Sequence, residues 1–377
     1  MRLLFTFAGG TGHFLPLVPI AAAAVDAGHT VAFAGTPSLL DRVAAAGFTG
    51  FATGEPYLPP ASRQPLQPLD RDREDADLRD GFADRMTRGR YPAVVSLCRT
   101  WHPDVVVCDE ADFGAMLAAE SCAIPHGTVI VMPAGSFVRP ALVGATLNAV
   151  RADVGLPPDP DLAMLHRHLV LSPAPPSFRD PAYPLPPTAL SIRPYDPPPR
   201  PDETVPPWLT GPFVYVTLGT IFALESGDLF PRLLAGLSTL DAGVLVTVGP
   251  HIDPLEFGTQ PPNVHIERWV PQSLVLPRCA AMVSHAGSGS TIGGLAHGLP
   301  LVLLPMGADQ PHNADRCAAR GVGVVLDPST ATPSDIGSAV RAVLDDPGYR
   351  TAASAIRTEI ASLPGPEHAV VALEELA

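Results

Sequence analysis

Two consecutive α/β domains, each built on a doubly wound parallel sheet, are what this sequence predicts, and three observations predict them. Strand-like and helix-like segments alternate in both halves of the chain. The strand segments are continuous apolar runs such as Leu3-Leu4-Phe5 and Val105-Val106-Val107, the pattern of strands covered by helices on both faces. One proline-dense stretch, residues 172–212, interrupts that alternation, which then restarts. A chain of 377 residues also suits two domains better than one.

The first domain is placed at residues 1–200. A strand at 3–7 leads into the turn Ala8-Gly9-Gly10-Thr11-Gly12-His13, then a helix at 15–27 that Gly28 stops. A strand at 30–34 and a helix at 37–46, ended by Gly47, follow. Residues 55–80 break the rhythm. They are polar, proline-rich and acidic, with solvated charges in Asp70-Arg71-Asp72-Arg73-Glu74-Asp75, and their length predicts a lid or binding loop. Regularity returns with a helix at 81–100, a strand at 105–108, a helix at 113–121 and a strand at 127–131. The prolines of 172–212 exclude helix and central strand and favour a semi-rigid linker.

The second domain is placed at 213–377. Its strands are expected at 213–217, 244–248, 264–267, 281–284, 301–304 and 323–326. Its helices are expected at 229–240, from the glycine turn to about 297, and at 313–320, 334–344, 349–363 and 367–376. Two such sheets joined by a linker predict a cleft between the carboxyl ends of their strands, where this architecture binds ligands.

Composition narrows the function. The net charge of −14, from 24 basic against 38 acidic residues, excludes nucleic acid and anionic membrane as partners. A phosphorylated ligand must then be held by local dipoles and hydroxyls against the global field. Hydrophobic residues make up 46 % and mean hydropathy is +0.20, with only 6 % aromatics, so Ala, Val and Leu carry the core. Five scattered cysteines read as reduced thiols. The apolar start at Met1 is too short for a signal segment, and no apolar run spans a bilayer. A soluble cytoplasmic protein, monomer or homodimer, is expected.

The stretch 269–310 carries the ligand chemistry. Strand, glycine turn and helix succeed one another through His285-Ala286-Gly287-Ser288-Gly289-Ser290-Thr291. Free first-turn N–H groups and the helix dipole make an anion site there, with hydroxyls of Ser288, Ser290 and Thr291 beside it. Upstream, Trp269 can stack on a base and Gln272 can bond its edge. Downstream, Asp309 and Gln310 can grip sugar hydroxyls. These are the parts of a nucleotide-sugar, in order.

His13, at the carboxyl end of the first strand, is the candidate general base for an acceptor hydroxyl. Asp109 is its candidate orienting partner; Asp112 is the rival, or else a helix cap, and Glu110 reads as solvated. His29, His251, His297 and His368 read as structural. Phe82, Met86, Phe113, Met132 and Phe137 are candidates for an apolar acceptor pocket. The pairs in Asp70-Arg71-Asp72, Asp75-Ala76-Asp77 and Asp159-Pro160-Asp161 mimic a metal-binding motif but read as solvated charge, so no metal is expected.

Trp269-Val270-Pro271-Gln272, the 285–291 turn and Gly307-Ala308-Asp309-Gln310-Pro311-His312-Asn313 resemble the donor signature of family 1 glycosyltransferases with the GT-B fold. The resemblance is nearer to the actinobacterial branch that decorates antibiotics. It implies two Rossmann-like domains facing across a cleft, with the first binding the acceptor and the second the donor. The activity it implies is inverting, metal-independent transfer of a (deoxy)sugar to a hydrophobic natural-product aglycone such as a polyketide. A nucleotide-sugar co-substrate takes the place of any cofactor. Donor contacts are implied at Gly12, Thr220, Trp269, Val270, Gln272, His285, Gly287, Ser288, Gly289, Ser290, Thr291, Asp309 and Gln310, with His13 and Asp109 catalytic. Many uridine-type relatives carry a glutamate shortly after the turn that binds a ribose diol. Here Ile292, Gly293 and Gly294 stand there, which points to a dTDP donor, with UDP as the alternative.

A dehydrogenase would explain Gly10-Thr11-Gly12, but Leu15 occupies the third glycine position and no acidic residue ends the second strand. A peptidoglycan-type transferase needs a basic membrane patch that this acidic chain lacks. A non-catalytic nucleotide-sugar binder would have no use for His13.

Overall fold

A computed structural model describes residues 1–56, 60, 62–194, 204, 206–209 and 211–377. Residues 57–59 and 61 of the lid-like stretch, and 195–203, 205 and 210 of the linker stretch, lie outside the described residues. The chain divides into two compact units. One comprises Met1–Leu58, Asp72–Tyr195 and Ser362–Ala377; the other comprises Pro59–Arg71 and Asp196–Ala361.

The first unit holds seven strands: β1 Arg2–Thr6, β2 Thr30–Gly35, β3 Thr49–Ala52, β4 Val105–Asp109, β5 His126–Val129, β6 Leu169–Ser172 and β7 Ala189–Ser191. They lie in the order β3-β2-β1-β4-β5-β6-β7, each neighbour parallel. The order reverses between β1 and β4, which pair through Leu3↔Val105 to Thr6↔Cys108. That reversal is the point where such sheets open for a ligand. Both strands are buried through their length apart from Arg2, as their continuous apolar sequence requires. Helix Phe113–Ser121 buries every residue from Phe113 to Ala119, so it is a core helix rather than an amphipathic one.

The second unit repeats the plan with β8 Phe213–Thr217, β9 Gly243–Thr247, β10 Val264–Glu267, β11 Cys279–Ser284, β12 Leu301–Leu303 and β13 Gly323–Val325. Their order is β10-β9-β8-β11-β12-β13, again parallel, and it reverses between β8 and β11. Helix Ser288–Ala296 follows β11 directly.

Four departures from the sequence expectation have identifiable causes. Helical structure begins at Arg71, well inside the 55–80 stretch: Arg71–Ala76, the π-helical Asp77–Met86, then Thr87–Trp101. Asp72 and Glu74 in its first turn favour the helix dipole, and the wider π turn shifts Leu78 and Ala83 into the core out of α-period. Residues 62–71 of that stretch belong to the second unit. Gln64 accepts from Gly227 N at 3.0 Å and donates to Leu224 O at 2.6 Å, and Arg71 pairs with Asp315 at 2.7 Å.

Strand β7 sits within the expected linker. It is a sheet edge bonded on one side to β6, which a proline-rich neighbourhood tolerates. Helix Pro366–Glu374 belongs to the first unit rather than the second: it buries Ala369, Val370 and Leu373, and Glu374 meets His29 at 2.9 Å. Periodicity shows that a helix has an apolar face but not which sheet receives it. Asp159 is buried and accepts from Ala163 N at 2.9 Å and Met164 N at 2.8 Å, while Asp75 pairs with Arg139; neither is solvated as expected.

Cys98, Cys108, Cys279 and Cys317 are buried, Cys122 is half-buried, and all five are free thiols. Among the described residues no helix is long and apolar enough to cross a membrane. Among them, too, no three His, Cys, Asp or Glu side chains gather as metal ligands.

Candidate active site and donor pocket

The two sides of the first sheet's reversal each deliver one side chain. His13 lies on the helical turn Thr11–Phe14 that follows β1, rather than in the glycine loop itself. Asp109 ends β4. His13 Nδ1 lies 3.3 Å from Asp109 Oδ1, with the imidazole 20 % exposed and the carboxylate fully buried. Asp109 is itself oriented by Ala8 N on Oδ2 and Ala111 N on Oδ1, both at 2.6 Å. A carboxylate beside Nδ1 favours the tautomer whose hydrogen sits there, leaving the Nε2 lone pair to take a proton. Gly9 makes room for this ring. It has φ 125°, and a Cβ at that position would lie 2.7 Å from His13 Cδ2.

Asp112 is engaged elsewhere. It caps helix Phe113–Ser121 through Ala115 N at 3.2 Å and forms a buried ion pair with Arg90 at 2.6 Å. Glu110 corrects the sequence reading: it is buried, 6 % exposed, and its Oε1 accepts from Val131 N at 2.7 Å and Met132 N at 2.5 Å. Burial pushes its carboxyl up to about 7, against the opposing pull of Arg179. Nothing in a strand-end sequence tells a solvated carboxylate from one that turns inward to a neighbouring loop.

The predicted acceptor residues separate. Phe82, presented by the π-helical segment, stacks on His13 with ring centroids 5.8 Å apart and 21° between planes, and Met86 is half-buried on the same segment. Met132 and Phe137 are almost covered, on the loop after β5. Phe113 has no exposed surface and packs in the core, so it presents nothing to a ligand. Gly12 is exposed beside His13.

In the second unit the turn after β11 opens helix Ser288–Ala296 with Gly287 as its cap and no side-chain hydrogen bond on the first-turn N–H groups. A helix start lacking side-chain capping offers those donors to an anion. His285 is buried beside Phe222, and burial lowers it to about 4, so it is neutral near neutral pH. Gly219, with φ 73°, lets β8's exit pass within contact of that ring, since a Cβ there would lie 2.7 Å from Nε2. Thr220 and Gly289 are exposed and Ser290 is half-buried. Trp269 is 61 % exposed, while Val270 beside it is buried. The Gln272 Oε1 lies 3.9 Å from the Cβ position of Gly293, which places that amide against the pocket helix.

Two predicted donor residues are held more tightly than the sequence suggests. Ser288 Oγ donates to Asp309 Oδ2 at 2.5 Å, and Asn313 Nδ2 reaches Asp309 Oδ2 at 2.8 Å and Ala286 O at 3.0 Å. Gln310 is 1 % exposed, its Oε1 accepting from Met306 N at 2.8 Å. The structure therefore turns Gln310 inward as a loop support, and Asp309 alone of the pair remains half-exposed. Ala286 and Ala308 hold left-handed backbone at φ 65° and 52°, a conformation costing about 1–2 kcal/mol per non-glycine residue. Backbone strain of this kind concentrates at ligand-binding turns. Asn313 stood in the quoted motif without a role; its task of closing the turn is visible only in the fold. Thr291 is fully buried, with its hydroxyl near no acceptor among the described residues.

Residues 231–376 match the family described as Erythromycin biosynthesis protein CIII-like, C-terminal domain. The chain is 30 % identical to the L-demethylnoviosyl transferase of Streptomyces niveus, over 99 % of this chain and 97 % of that protein. It is 28 % identical to TDP-daunosamine transferase DnrS of Streptomyces peucetius, over 100 % and 97 %. Among solved structures it superposes on the glycosyltransferase SnogD from Streptomyces nogalater with a TM-score of 0.76 at 27 % identity, covering 100 % of this chain and 99 % of that one. With two parallel-sheet units and this likeness along the whole chain, the protein is a glycosyltransferase belonging to the GT-B-fold family of actinobacterial antibiotic sugar transferases.

Proposed function

We propose that this enzyme moves a (deoxy)sugar from a dTDP donor to a hydroxyl of a hydrophobic aglycone such as a polyketide, with inversion and without a metal. The observation that carries the reading is the His13–Asp109 pair at the reversal of the first sheet. His13 Nε2 takes the acceptor proton as the oxygen attacks the anomeric carbon, and Asp109 stabilises the imidazolium that forms. A single displacement by the acceptor inverts the anomeric centre. The diphosphate departs toward the start of helix Ser288–Ala296, whose free N–H groups and dipole supply the positive polarisation a metal would otherwise give. Trp269 stacks on the base and Asp309 holds sugar hydroxyls.

Three features support thymidine. No carboxylate follows the turn at Ile292, Gly293 or Gly294, a deoxyribose offers no vicinal diol to a carboxylate, and one relative is named for a TDP-sugar. Thermal shift and calorimetry with TDP and UDP test this part: tighter TDP binding is expected, and preferential UDP binding overturns the donor assignment. The anomeric configuration of the product, read by proton NMR, tests inversion, since retained configuration is incompatible with a single displacement. A non-catalytic binder would release no nucleotide on adding acceptor.

A further inference from the structure

Asp109, the last residue of β4, and Glu110, the next, are consecutive carboxylates that serve different loops. Asp109 is bonded by Ala8 N and Ala111 N and faces the base, whereas Glu110 is bonded by Val131 N and Met132 N of the loop after β5. That loop is irregular yet buried from Ile130 to Gly135. A buried backbone without a sheet partner needs another acceptor for its N–H groups. Glu110 is that acceptor for two of them.

The far side of the loop is tied as well. Asp180 N donates to Ala134 O at 2.9 Å, and Arg179 donates to Tyr183 O at 2.6 Å. Gly135, at φ 82°, approaches the Arg179 guanidinium so closely that a Cβ would lie 2.5 Å from its Cζ. The charged groups that act on Glu110 are Arg179, which favours its ionised form, and Asp109, which opposes it.

We propose that Glu110 is a positioning residue for glycosyl transfer: it fixes the 131–137 loop, with Met132 and Phe137, as the wall that seats the acceptor beside His13. This rests on the transfer reaction proposed above and adds the residue that sets acceptor fit. Apart from Gly12, the donor residues lie in the other unit, so the effect is expected on the acceptor rather than on the donor.

The test uses the full-length enzyme with TDP-glucose as donor and 4-methylumbelliferone, a planar apolar phenol, as acceptor. Glu110→Ala and Glu110→Asp, the second too short to bridge both N–H groups, are expected to raise the acceptor KM by about tenfold or more, as a displaced positioning loop does. The TDP-glucose KM stays within about twofold, and Glu110→Gln, which keeps a carbonyl oxygen at the same reach, restores the acceptor KM. Glu110→Asp carries the result should the alanine variant fail to fold. Amide hydrogen exchange at Val131 and Met132 supplies a readout independent of transfer: at least about tenfold faster in Glu110→Asp and native-like in Glu110→Gln. An unchanged acceptor KM, or equal rises in both KM values, overturns the proposal, and so does unaltered exchange at the two amides. Absence of transfer in the wild type with the exchange result intact would instead count against the proposed reaction.

Discussion

Glu110 makes a prediction about stability whose sign is opposite to that of most carboxylates. Its folded-state value is raised from 4.5 to about 7, chiefly by burial. Between those values the folded chain holds a proton that the unfolded chain has lost. Stability from this group is therefore full below about pH 4.5 and lost as pH rises through about 7. At about 1.4 kcal/mol per unit, the shift amounts to about 3 kcal/mol. Glu110→Gln keeps the acceptor oxygen and cannot ionise, so its stability lacks that decline.

Urea denaturation of the first unit at pH 5, 6, 7 and 8 reads the difference. The chain has three tryptophans, and Trp101 belongs to the first unit, where it stacks under Arg2 at 4.3 Å. Replacing Trp208 and Trp269 by Phe leaves its fluorescence as the reporter. The wild type is expected to lose on the order of 3 kcal/mol relative to Glu110→Gln between pH 5 and pH 8, with the two converging at the acid end. Curves that stay parallel within about 0.5 kcal/mol, the usual scatter of such comparisons, would refute the buried-carboxylate reasoning.

Gly9→Ala forces a Cβ into the His13 ring, and kcat should fall by about a hundredfold, as for a misplaced general base; TDP affinity by calorimetry should not change. Phe113→Ala is expected to destabilise by about 3–5 kcal/mol in denaturant titration, the cost of emptying a closed core site, with no selective effect on acceptor KM. Trp269→Ala should leave stability within about 0.5 kcal/mol, since the ring is 61 % exposed. The same change should weaken TDP binding by about 1–3 kcal/mol if the indole stacks on the base.

The parts of this fold that are legible in the sequence are those set by local rules. Continuous apolar strands gave away both sheets, because parallel strands covered on two faces tolerate no polar alternation. The two reversals then follow from topology, and they put His13, Asp109 and the 285–291 turn at strand ends. What stayed hidden depends on distant partners. The helix at Arg71–Met86 is acidic and out of α-period, so its start reads as loop. The Pro366–Glu374 helix looks like any closing helix, yet it packs with β6 and with helix Val18–Asp26 of the first unit. Glu110 and Gln310 turn inward to neighbouring loops for reasons that lie 21 residues away at Val131 and 4 residues away at Met306. The sequence shows that both follow a strand, which says where a residue starts but not which backbone groups it must satisfy.

Transfer depends most directly on the proton acceptor at His13. Transfer of glucose from TDP-glucose to 4-methylumbelliferone should fall by about 10²–10⁴-fold in His13→Ala, with TDP bound as tightly as by the wild type because the donor residues other than Gly12 lie in the other unit. Turnover within a few fold of the wild type, with TDP binding intact, would contradict it.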